Sequence, residues 1–272
     1  MSELRAKYLD PDLLSKLGSL QLKATALAEG IIAGLHRSPH RGGSVEFSEY
    51  TEYSPGHEIR HIDWKVFGKS DKYYVKRFQD ETNLRTYFVL DGSGSMNYAS
   101  EDVPFSKLEY VCILAAAIAH LYIHQGDAVG ALNVAEDGNA KFLPASSKKN
   151  HLEDLFYLFD HLPAAGTYSL NTSLRSIAER TKTRCQLIVM GDMLEADQET
   201  INLLGVLRKR RYEIALFHVI DPAELTLPFE GMTLFEDMEL DDEDMLADPD
   251  ELRDRYIEAI REHLAWVKLS CE

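Results

Sequence analysis

Two short runs, Tyr87-Phe88-Val89-Leu90 and Leu187-Ile188-Val189-Met190, constrain this chain more than any other feature. A strand that is apolar at every position has no face to offer water, so it must be covered on both sides. Around these runs, segments of helical periodicity alternate with further apolar strands. A helix opened by Ser106 and Glu109 in capping-box spacing and closed by Gly126 follows the first run. Strands are expected over 128–134 and 140–143, and a helix with Leu152, Leu155, Phe156 and Phe159 on one face comes next. Another helix carries Leu170, Leu174 and Ile177, and a third covers 198–210 ahead of a strand over 214–220. Strands and amphipathic helices in this order predict an α/β fold, a doubly wound and mostly parallel sheet, from about Leu84 to the C-terminus.

The chain ahead of that region reads differently. Leu13, Leu17, Leu20, Ala24, Leu27, Ile31 and Leu35 recur every three or four positions, which predicts one amphipathic helix, with Asp10 as its cap and Pro11 at its first position. From His36 to Phe78 glycines, aromatics and charges replace that periodicity, and short strands and turns are expected. The expected organisation is therefore an N-terminal helix and β-rich extension over 1–83 and an α/β domain over 84–272. Within the latter, 236–254 is dense in Asp and Glu and reads as a solvated acidic loop, or else as a docking surface for a basic partner. A last helix carries Tyr256, Ile257, Ile260, Leu264 and Val267.

Charge narrows the function. Against 29 Lys and Arg the 272 residues hold 45 Asp and Glu, a formal charge of −16, and such a field repels nucleic acid. The dense basic run, Arg208 to Arg211, falls at a helix end, where cations offset the dipole. Cys112 and Cys185 lie in apolar runs and read as buried free thiols of a reducing compartment. The N-terminal residues lack the apolar core of a signal peptide, and the apolar stretch from Val111 to Ile123 is shorter than the ~20 residues of a span. A cytoplasmic protein without a membrane span is expected.

Asp91-Gly92-Ser93-Gly94-Ser95 follows the first apolar strand directly. In open α/β sheets the crevice beyond the carboxyl ends of the strands is where ligands bind. One carboxylate and two hydroxyls at alternate positions, with glycines between, allow three oxygens to converge. Oxygen donors with few carboxylates suit Mg²⁺, which keeps much of its water; Mn²⁺ and Ca²⁺ are alternatives. Gly166-Thr167, before a helix, and Gly191-Asp192, after the second apolar strand, end at the same edge. No lysine follows the glycines as in a P-loop, and Gly-x-Ser-x-Gly is absent around Ser93. The reading requires Ser95 and Asp192 to be close, with no Lys or Arg head between them.

Asp91-x-Ser93-x-Ser95, a threonine in the second loop and Asp192 after the later strand resemble the metal-ion-dependent adhesion site of von Willebrand factor A domains, a Rossmann-like fold. That resemblance implies Ser93, Ser95 and Thr167 as direct metal ligands and Asp91 and Asp192 in support. Ser169 or Thr172 is an alternative to Thr167. It also implies a coordination position for an Asp or Glu of a protein partner. A narrower resemblance rests on Gly43 to Tyr50, Tyr53-Ser54-Pro55-Gly56, Arg60 to Lys65, Val75 to Phe78, Asp221-Pro222 and Tyr256. These are similar to the signature of the bacterial domain-of-unknown-function family numbered fifty-eight. Many relatives there carry N-terminal membrane helices, and the group is associated with MoxR-type AAA+ ATPases, so such an ATPase is an expected partner. No catalytic residue is assigned, and no enzymatic activity is expected.

Two other readings compete. His57-Glu58-Ile59-Arg60-His61 matches His-Glu-x-x-His, the helical zinc motif of hydrolases, with Glu81 downstream as a third ligand. Pro55-Gly56 immediately before it, and Arg60 beside a dication, argue against that site. A purely structural scaffold is the other. Trp64 with Phe47, Tyr50, Tyr53 and Phe67 reads as a small satellite core rather than a peptide-binding surface.

Overall fold

The computed structural model describes residues 11–36, 50–52, 74–76, 85–134, 140–163, 169–181, 184–239 and 244–271. The chain divides into two compact units, 36–83 and the remainder, so the N-terminal helix belongs with the α/β body. In the smaller unit β1 (Tyr50–Glu52) pairs antiparallel with β2 (Tyr74–Lys76).

The larger unit is built on five strands: β3 (Arg85–Leu90), β4 (Ala128–Val134), β5 (Ala140–Ser146), β6 (Gln186–Gly191) and β7 (Glu213–His218). They lie in the order β5-β4-β3-β6-β7, parallel except for the edge strand β5. Helices α1 (Pro11–Ser15), α2 (Leu20–His36), α3 (Lys107–Gln125), α4 (His151–Asp160), α5 (Leu170–Arg180), α6 (Gln198–Lys209), α7 (Pro222–Thr226) and α8 (Pro249–Cys271) surround it.

Alternation along the central strands divides the core in two. Phe88, Leu90, Ile188 and Met190 point to one face, where α2, α3 and α4 cover them; Phe88 meets Phe159 of α4 edge to face. Tyr87, Val89, Leu187 and Val189 point to the other, under α5, α6 and Val267 of α8. This is the two-sided burial that the continuous apolar runs require. Helix α3 is long and apolar enough to cross a membrane by composition alone, yet half of it is buried in the protein, with Val111, Ala115 and Ala119 in the core against the sheet.

Most element ends follow their local chemistry. Ser106 accepts from the Glu109 amide at the start of α3, and Gly126, at φ 92°, closes it in the left-handed region. Asp197 and Thr200 cap α6 reciprocally, and the basic run lies at its C-terminus. Cys112 and Cys185 are buried free thiols, and burial pushes them up to about 12 and about 11 respectively, which makes them inert.

Three expectations need correction. The single N-terminal helix is broken after Ser15, because Gly18 lies in the turn and Ser19 starts a new helix by accepting from the Leu22 amide. Asp10, the expected cap, lies outside the described residues. Strand β5 runs on through Pro144 to Ser146, which an edge position permits since Pro has no N–H to donate. The stretch 236–254 is not all loop: β9 (Met245–Ala247) pairs antiparallel with β8 (Thr233–Phe235), and α8 begins at Pro249 behind Asp248. Met245-Leu246-Ala247 is an apolar island among the acids, and it pairs.

Leu187 is fully buried under α5 and α6 whereas Leu269 is 71% exposed. Leu187→Ala is expected to cost about 3 kcal/mol in urea unfolding and Leu269→Ala under about 0.5 kcal/mol.

Candidate functional site

Strand order reverses between β3 and β6: the chain runs outward from β3 to β4 and β5, then returns to place β6 on β3's other side. Asp91 and Asp192 stand one residue past Leu90 and Gly191, the ends of those two neighbouring parallel strands. Topology thus delivers both acids to the crevice where open α/β sheets bind ligands.

From Asp91 the chain curls at once. Asp91 Oδ1 accepts from the Ser93 amide at 2.9 Å, and a 3₁₀ turn over Gly94–Asn97 follows. The turn sets the Ser93 and Ser95 hydroxyls 3.0 Å apart, and Ser95 Oγ donates to Asp192 Oδ2 at 2.9 Å. Two close approaches need glycine. A Cβ on Gly191 would stand 2.6 Å from Asp91 Oδ2, and one on Gly94 would stand 1.8 Å from the Met238 carbonyl oxygen. The segment after β8 therefore passes directly over the Asp91–Ser95 loop.

The two carboxylates differ in their compensation. Asp192, 3% exposed, accepts from Ser95, from the Leu194 amide at 3.2 Å, and from the Lys107 ammonium at 2.9 Å. Lys107 also bonds Glu224 Oε1 at 2.5 Å, while Glu224 Oε2 accepts from the Asp221 amide in the cap of α7. Burial lowers the Lys107 ammonium, but Asp192 and Glu224 outweigh it and hold it above its ordinary value. Asp91 has only the Ser93 bonds to set against burial and the neighbouring Asp192 charge, and it is pushed up to about 7. Glu195 is raised too, first by burial and then by Glu239 and Asp192. The rim therefore carries one acid with an ammonium partner, Asp192, and one, Asp91, whose burial is set only against the Ser93 bonds.

The structure brings Asp91, Ser93, Ser95 and Asp192 together. Lys107 does not separate Ser95 from Asp192, which touch directly; it shares the same Asp192 oxygen. Thr167 lies outside the described residues, as do His57, Glu58, His61 and Glu81. Ser169 and Thr172 bond each other in the cap of α5, with Thr172 Oγ1 donating to Ser169 Oγ at 3.1 Å, and no described hydrogen bond joins either to Asp91, Ser93, Ser95 or Asp192. Among the described residues no three His, Cys, Asp or Glu side chains gather to hold a metal by themselves. A cation at this rim must take hydroxyl oxygens, as the Ser93 and Ser95 pair offers.

Lys107 and Glu224 escaped the sequence reading. The signal for the first is a lysine at the first position of a helix, where the dipole disfavours a cation. The second is spelled in Asp221-Pro222-Ala223-Glu224, a capping box.

Removing the ammonium leaves buried Asp192 and half-buried Glu224 uncompensated, so Lys107→Met is expected to destabilise by about 3 kcal/mol or more in urea unfolding. Asp91 is raised in the folded state, so the folded protein holds its proton more tightly than the unfolded chain. Its contribution to stability falls as pH rises from about 4 through about 7. In metal-free buffer at pH 8, Asp91→Asn is expected to melt higher than wild type by about 3 °C, a difference that vanishes near pH 4.

The family described as "Protein of unknown function DUF58" matches residues 49–265. Uncharacterized protein Rv1480 of Mycobacterium tuberculosis and Uncharacterized protein Mb1516 of Mycobacterium bovis are each 26% identical over 243 residues, 88% of this chain and 74% of theirs. Among solved structures, conserved hypothetical protein BatB from Bacteroides thetaiotaomicron aligns with a TM-score of 0.44 at 20% identity, over 64% of this chain and 84% of its own. An aerotolerance-related membrane protein from Bacteroides fragilis, carrying multiple mutations to serines, aligns with a TM-score of 0.44 at 19% identity, over 64% and 86%. With the family matching most of its length, this chain belongs to DUF58.

Proposed function

We propose that this chain is a non-enzymatic interaction module that binds Mg²⁺ at the Asp91–Ser95 and Asp192 rim and, through it, an Asp or Glu of a protein partner. The observation that carries this is the unbroken line of oxygens from Ser93 to Ser95 to Asp192, beside the Asp91 carboxyl, which burial and then the Asp192 charge push up to about 7. In this reading the fold is of the von Willebrand A type and the rim is its adhesion site. The partner class is an AAA+ ATPase of the MoxR type, in a cytoplasmic setting that the buried free thiols suit.

The residues present fit a hard cation. Ser93, Ser95 and Thr167 would hold it directly, with Asp91 and Asp192 in support. Bound there, Mg²⁺ supplies a Lewis-acid position open to a carboxylate. Lys107 fixes Asp192 so that it orients Ser95 rather than adding a full charge to the rim. Of the two loop carboxylates only Asp192 has a cationic partner among the described residues, which keeps affinity for the ion low until a partner's carboxylate adds its own charge. Ion and partner therefore strengthen each other by equal factors.

Capture of proteins from a native lysate by wild type and by Asp91→Ala, with Mg²⁺ and with EDTA, tests this. A partner retained only by wild type in Mg²⁺ is expected, with both proteins giving the same circular dichroism. Recovery of the same proteins under all four conditions refutes the mechanism.

A further inference from the structure

A cavity of about 600 Å³, open to solvent, adjoins the candidate metal rim. Ser95 belongs to both: its hydroxyl reaches Asp192, and its side chain forms part of the cavity wall. Apart from Tyr98, the rest of the wall is predominantly apolar and comes from the segments after the sheet, with Leu227 and Phe229 beyond α7, Phe235 on β8, Met245 on β9 and Tyr256 on α8. Neither large core cluster extends into this space. Met238 and Met245, both in the wall, remain 43% and 52% exposed. Flexible thioethers at a solvent-facing apolar hollow suit an occupant that comes and goes.

Polar groups on the wall say which occupant. Glu224 is engaged by Lys107 and the Asp221 amide. Arg255 makes no ion pair among the described residues, so one cation faces the occupant unspent. A site for a small organic molecule converges several placed polar groups on its ligand. Here the apolar hollow is broad, its mouth is open, and one cation stands beside an acid-seeking rim. An extended peptide advances about 3.3 Å per residue. A side chain one or two residues from a carboxylate held at Ser95 would therefore fall in the cavity, with Arg255 placed for a second acid.

We infer that the cavity receives a large apolar side chain flanking the partner's metal-bound acid, so that the recognised segment is an acidic peptide with Phe, Leu or Met within about two residues of its Asp or Glu. This rests on the metal-dependent reading above and adds to it the specificity that a bare carboxylate lacks.

The test pans phage-displayed heptapeptides with a fixed central Asp against the whole chain in Mg²⁺. Enrichment of large apolar residues beside the Asp, with elution by EDTA, is expected. A synthetic winner should bind Met245→Asn about tenfold or more weakly, with Leu252→Asn, on the same cavity wall, as a second variant, while both variants keep wild-type Mg²⁺ affinity. Binding that needs Mg²⁺ but shows no apolar preference and ignores both variants overturns the cavity and leaves the metal reading standing. Apolar-rich peptides that bind equally in EDTA and to Asp91→Ala overturn the metal reading, and this inference with it. A small amphiphile in the native mass spectrum of the purified chain, displaced by no peptide, assigns the cavity to that molecule and overturns the inference alone.

Discussion

Asp91 and Asp192 are carried into one crevice by neighbouring parallel strands, and two partly dry carboxylates that close repel each other strongly. The surrounding structure resolves that conflict unevenly. Asp192 receives a hydroxyl, an amide and an ammonium, and the ammonium is held in turn by Glu224. Through that chain of charges β6, α3 and α7 are tied together at one point. Asp91 receives the Ser93 bonds alone and takes the strain as a raised affinity for protons.

Packing supports the crevice from both sides. Because β3 and β6 are covered on each face, their ends cannot shift without disturbing two cores, and so the carboxylates have little freedom to separate. Gly191 lets the Asp91 side chain lie against the adjacent strand, and Gly94 lets the backbone at Met238 cross above the loop. That crossing brings β8, β9 and the start of α8 beside the rim. A region that serves no purpose in the sheet core thus becomes one wall of the cavity next to Ser95.

Much of this was legible in the residues. Fully apolar strands announce two-sided burial, and the loop after the first of them writes its oxygens into a five-residue pattern. Caps at Ser106 and Gly126 are local chemistry and read directly. The break at Gly18-Ser19 was hidden because apolar periodicity continues across it, and periodicity reports burial rather than continuity of the helix. The β8–β9 hairpin was hidden because three apolar residues inside an acidic stretch are too few to show a period.

The sequence by itself determined the α/β alternation, the central strands and the identity of Asp91, Ser93, Ser95 and Asp192, because two-sided burial and turn chemistry act over a few neighbouring residues. Only the tertiary structure decided that Lys107 would neutralise one of two equivalent-looking carboxylates and that distant C-terminal segments would wall a cavity beside Ser95. Those outcomes depend on contacts between residues 85 and more positions apart, where the choice of partner is made by strand order and packing rather than by any pattern along the chain.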